Sequence, residues 1–126
     1  MKKREAKHNT LFNKYLRKSG MQGYFELKQT KGNSIRWSCV EPHQMAGLLA
    51  AEQGGFIWKL SDEDQRRKPF DCFSAPPLKS YVVIFFPKAF HIILAVKFFK
   101  ERGATDEPSL TRDVSFRLAE RVINIP

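Results

Sequence analysis

No run of about 18 apolar residues occurs anywhere in the 126-residue chain, so no membrane-spanning helix is expected. Cysteine is scarce. Cys39 and Cys72 stand far apart with no CxxC partner and read as two reduced, buried thiols, because a disulfide would need an oxidising compartment that nothing here implies. The three histidines, His8, His43 and His91, fall into no HExxH or Cys/His pattern, which leaves no zinc site. A basic N-terminus without a following apolar segment is not a secretory signal, and the chain reads as soluble and intracellular. Acidic residues are the other shortage: 13 Asp and Glu face 22 Lys and Arg, for a net charge of +9. Between Glu5 and Glu41 the one acid is Glu26, and the first aspartate is Asp62.

What is present is enough for one packed core. A hydrophobic fraction of 42%, with 11 Phe, suits a single domain over residues 1–126, of which 1–7 read as a flexible basic arm. From about His8 to Lys18, Leu11, Phe12, Tyr15 and Leu16 recur at helical spacing. Gly20 and Gly23 lead into a strand at Tyr24–Lys28, and a turn at 31–33 joins it to a second strand over Ser34–Val40, the pair expected as a hairpin. Glu41-Pro42 opens a helix to about Gln53. Strands follow at Phe56–Leu60, Pro69–Ser74 and Tyr81–Phe86, the last a buried central strand. Ala89–Arg102 is expected to be a covered helix, and Thr111 or Ser109 to cap a last helix along which Leu110, Val114, Leu118 and Val122 recur every four residues. Trp37 and Trp58 are expected in the core. The order predicts an α/β (α+β) fold with a mixed central sheet flanked by helices.

The positive charge is concentrated. Residues 1–31 carry nine Lys and Arg against Glu5 and Glu26, and Arg66-Arg67-Lys68 makes a second knot. Such a field attracts polyanions and makes their binding salt-dependent. Lys14, Arg17, Lys18, Lys31, Arg36, Arg66, Arg67 and Lys68 are the candidate phosphate contacts, against the plainer reading of a solvated basic surface.

Chemistry enters at Tyr24-Phe25-Glu26-Leu27-Lys28. Alternation along a strand puts Glu26 and Lys28 on one face and Phe25 and Leu27 on the other. A carboxylate beside an ammonium can hold a divalent metal and steady an attacking water, or can be a plain surface ion pair. A metal site wants a second carboxylate, and Asp71 is the best remaining candidate, since an aspartate amid Phe70, Cys72 and Phe73 needs a partner if buried. Asp62 is a fallback.

Pro69-Phe70-Asp71 and Glu26-Leu27-Lys28 together resemble the signature of the PD-(D/E)XK nucleases. Phe25–Lys31 followed by His43-Gln44 is similar to the Holliday-junction-resolvase branch, and His8–Asn13 resembles that branch's first helix. The resemblance covers roughly residues 8–100. It implies a restriction-endonuclease-like core and Mg²⁺-dependent (or Mn²⁺-dependent) cleavage of branched DNA by a homodimer in the cytoplasm of a bacterial or phage-infected cell. Glu26 and Asp71 would bind the metal, Lys28 would assist the water, and Gln44, on the helix after the strand, would position phosphate or water. Two departures stand out. Asn13 occupies a place where the branch often has glutamate, and Asp71 follows Glu26 where the usual order is the reverse. A permuted site reconciles the order if the strands of Glu26 and Asp71 are neighbours. The alternatives are a non-catalytic nucleic-acid-binding protein on the same fold and, more remotely, a basic protein that targets an acidic factor.

Overall fold

The computed structural model describes residues 3–54, 56–59 and 72–126. The elements are α1 (Lys3–Ser19), β1 (Tyr24–Gln29), β2 (Ser34–Arg36), a 3₁₀ turn (Trp37–Cys39), α2 (Pro42–Gln53), β3 (Phe56–Lys59), β4 (Cys72–Ala75), β5 (Ser80–Phe86), β6 (Ala89–Leu94), α3 (Ala95–Ala104), β7 (Ser109–Thr111), α4 (Arg112–Leu118) and β8 (Arg121–Asn124). The fold is mixed α+β, as the alternation of periodicities predicts. No helix among the described residues is long and apolar enough to cross a membrane.

The main sheet has four strands in the order β1-β5-β6-β8. β1 runs parallel to β5, with Glu26 opposite Val82 and Lys28 opposite Ile84. β5–β6 and β6–β8 are antiparallel. A parallel neighbour needs a crossover, and α2 lies in the chain between β1 and β5. Every residue of β5 is buried, and its side chains alternate between two cores. Val82, Ile84 and Phe86 join Met45 and Leu48 of α2, Phe98 of α3 and Leu110 on one side. Tyr81, Val83 and Phe85 meet Phe12 of α1, with Phe90 and Ile92 of β6, on the other. Helices cover both faces, which is why the central strands carry near-continuous apolar runs.

Several expectations need correction. The basic arm is not separate from the first helix, because α1 already begins at Lys3. β1 and β2 form no hairpin: β1 pairs with β5, and β2 pairs with β7. The segment 89–102 is not one helix but β6 followed by α3. Pro87, with its fixed φ, and Lys88, at φ 68°, make a two-residue turn of type II character that folds the chain straight back onto β5. The last helix ends at Leu118 and gives way to β8. Its cap is as expected, with the Val114 amide donating to Thr111 Oγ1 at 3.3 Å. Trp37 is in the core, whereas the side chain of Trp58 lies outside the described residues.

Candidate functional site

Phe25 and Leu27 pack into the α1-side core, and Tyr24 into the α2-side core. Glu26 and Lys28 therefore share the α2 face of β1, as alternation demands. Lys28 Nζ lies 3.4 Å from Glu26 Oε1, with the two side chains 21% and 30% exposed. The pair is partly sheltered yet reachable. β5 shields β1 along one edge, and among the described residues no strand pairs with the other. The start of β5 is tied to α2 by the buried Ser80 hydroxyl, which donates to the Leu48 carbonyl. That bond fixes the helix over the face that carries the pair.

Gln44 sits in the first turn of α2, where it has a structural task. Its Oε1 accepts from the Glu41 amide at 3.0 Å, while the Glu41 side chain accepts from the Gln44 amide, completing a capping box. The Gln44 side-chain nitrogen takes no part in that bond. The structure thus gives Gln44 the plain role of a helix cap, and any contact with phosphate would have to be made by the nitrogen.

Beyond Lys28 the chain opens a cleft of about 430 Å³, lined by Leu27, Lys28, Gln29, His8, Cys39 and Phe85 among others. It draws on both faces of β1, which an edge strand permits and a central strand would not. It lies at the carboxyl ends of the parallel pair β1 and β5, where open sheets containing parallel strands commonly place their ligands. Burial pushes the Cys39 thiol above its ordinary pKa, with the Lys28 charge opposing, so Cys39 is a protonated thiol rather than a ready nucleophile. Gln29 Oε1 is buried with no hydrogen-bond partner among the described residues. His8, Gln29 and Cys39 were not among the sequence-derived candidates. They come from three separate segments and share no spacing that would have announced them.

The candidate phosphate contacts divide by location. Lys14, Arg17 and Lys18 are exposed along α1, Lys31 in the turn after β1, and Arg36 on β2. Arg66, Arg67 and Lys68 lie outside the described residues, as do Asp62 and Asp71. Among the described residues the neighbouring strands required for a permuted site are not formed: β4, which begins just after Asp71, pairs with β3 in a separate two-stranded sheet and not with β1 or β5. Among the described residues no group of three or more His, Cys, Asp or Glu side chains is placed to hold a metal ion. The described donor set is thus one carboxylate, Glu26. That fits magnesium, which commonly takes one or two carboxylates and fills its remaining positions with water and substrate phosphate.

One other titratable group is strongly perturbed, and it lies in the core between the sheet and α4. His91, in the middle of β6, is 1% exposed, with its Nδ1 2.7 Å from Ser115 Oγ. Burial, reinforced by the Arg112 charge, holds its pKa down to about 4. It is a neutral core imidazole that joins the sheet to α4. No protein family, curated protein or solved structure matches this chain.

Proposed function

We infer that the protein is a Mg²⁺-dependent endonuclease acting on branched DNA. The observation that carries this reading is the Glu26–Lys28 pair, sheltered on the helix-covered face of an edge strand, with Lys28 also lining the cleft beyond it. Glu26 would hold the metal, whose chemistry is to polarise the scissile phosphate and acidify a bound water. The Lys28 ammonium would stabilise negative charge developing on the attacked phosphoryl group. The side-chain nitrogen of Gln44, free of the capping bond, is the part of that residue able to donate to phosphate or water. Lys14, Arg17, Lys18, Lys31 and Arg36 supply positive charge for the backbone. Symmetrical cutting of two strands would call for a homodimer.

The test is cleavage of labelled four-way-junction, flap and duplex DNA with Mg²⁺ or Mn²⁺. Glu26→Gln and Lys28→Ala are each expected to lower the turnover rate by about a hundredfold or more while retaining DNA binding. Loss of cleavage with Asp71→Asn as well would bring that carboxylate into the same site, whereas activity retained in Asp71→Asn would reject the permuted site and keep Glu26. Full activity in Glu26→Gln would sink the reading.

A second reading is favoured by Asn13, which stands where the resembled branch often has glutamate, and by β4 pairing away from β1. In it the chain binds nucleic acid without cutting it. Salt-sensitive binding with no cleavage of any of the three substrates is the result that would select it.

A further inference from the structure

A second cleft, of about 560 Å³, adjoins the first. His8 and Phe85 line both, their rings stacked with centroids 4.4 Å apart, so the stacked pair stands between two parts of one groove. The groove follows the carboxyl ends of β1 and β5, where the Thr30 amide donates to the Phe85 carbonyl at 3.0 Å. The two parts differ in chemistry. Lys7, Lys31 and Lys88 line the second cleft together with apolar side chains, among them Leu11, Pro87 and Ile125, and among the described residues no carboxylate side chain lines it.

We propose that this second cleft takes up a single-stranded DNA segment, with phosphates on Lys7, Lys31 and Lys88 and a base laid against the apolar floor. The proposal rests on the DNA reading above and narrows it to a strand that has left the duplex. Duplex DNA offers a protein surface its phosphates but keeps its base faces stacked inside, and would leave the apolar floor unused. A splayed single strand offers both, and a basic rim around an apolar or aromatic platform is the arrangement that single-strand binding sites use.

Lys88 adds an independent observation. It holds a left-handed backbone conformation, φ 68°, at a turn position where glycine is the default, and so carries an ammonium to the rim at the expense of backbone strain. Its main chain is also fixed from the far end of the groove, because the Ile125 amide donates to the Lys88 carbonyl at 2.8 Å. The rim lysine and the apolar floor are thereby held to each other.

The experiment is fluorescence anisotropy in EDTA, where no metal-dependent cutting occurs. The probes are a labelled oligo-dT of about eight nucleotides, an abasic strand of the same length, and a duplex. The abasic strand is expected to bind at least about tenfold more weakly than oligo-dT, because it has phosphates but no bases. Lys88→Asn and Lys31→Gln should each weaken oligo-dT binding and lower the log–log salt slope by about 0.7. Lys100→Gln, the same charge change on the exposed face of α3, should do neither. Asparagine tolerates left-handed φ, so Lys88→Asn keeps the turn. Equal affinity for oligo-dT and the abasic strand would overturn the proposal, as would equal effects of Lys88→Asn and Lys100→Gln. Normal oligo-dT binding without cleavage of any substrate removes the nuclease and leaves the groove. Glu26-dependent cleavage, with unchanged binding in the Lys88 and Lys31 variants, removes the groove and leaves the nuclease.

Discussion

At the scale of single residues, His91 and Glu26 show how position in a sheet decides what an ionisable group can do. His91 is enclosed by β6, α4 and the ring of Phe86, with Arg112 lying over that same ring, and so it is held neutral. Its folded pKa of about 4 lies below the ordinary 6.5. The unfolded chain therefore takes up a proton as pH falls through 6.5 while the folded protein does not until about 4. The stabilisation is fully present above pH 6.5 and is lost progressively between 6.5 and about 4, by a total of about 3 kcal/mol. Denaturant titrations at pH 7 and pH 4.5 should show this loss in the wild type and a smaller one in His91→Gln. Equal losses in the two proteins would mean that other groups carry the pH dependence. Glu26, by contrast, sits on an edge strand and stays accessible. Its pairing with Lys28 was legible from alternation alone. The rest of the cleft was not, since His8 and Cys39 reach it from α1 and from the turn after β2, and no local pattern in a sequence records such a meeting.

At the scale of elements, legibility followed the quality of local punctuation. α2 is bounded by Glu41-Pro42 and by Gly54, and its predicted limits match the observed ones. Gly54 is required there on two counts: its φ is 72°, and a Cβ would lie 2.7 Å from Pro77 Cδ. Gly54→Ala should therefore destabilise the protein by more than about 1 kcal/mol, seen as a lower urea midpoint at unchanged m-value. Punctuation failed over 89–102. A continuous apolar run fits a buried strand as well as a buried helix, and the element type was decided by the turn at Pro87-Lys88, which returned the chain to β5 in register. β2 was likewise misassigned as β1's partner. Its partner β7 comes from far along the chain, held beside it by contacts such as the Arg112 amide to the Asn33 carbonyl at 2.7 Å.

For the whole molecule, a mixed sheet between helices could be anticipated, but the order of its strands could not. Alternation reports which face a residue takes and is silent about which strand lies alongside. The parallel pairing of β1 with β5 has a consequence in time. β5 and β6 are joined by a two-residue turn, so their pairing closes a very short loop, whereas β1 must be recruited across the whole of α2 and the segments that follow it. Short-range pairing precedes long-range pairing when loop closure limits the rate. Ile92→Val in β6 is thus expected to slow refolding, while Leu27→Ala in β1 should leave refolding nearly unchanged and speed unfolding. Chevron plots of the two variants would decide it, and a slower refolding limb in Leu27→Ala would refute the sequence of events. On this schedule the strand that carries both Glu26 and Lys28 docks onto the sheet at the final step of maturation and leaves it at the first step of decay. The working lifetime of each molecule is then governed by how long one edge strand stays docked, well before the sheet behind it lets go.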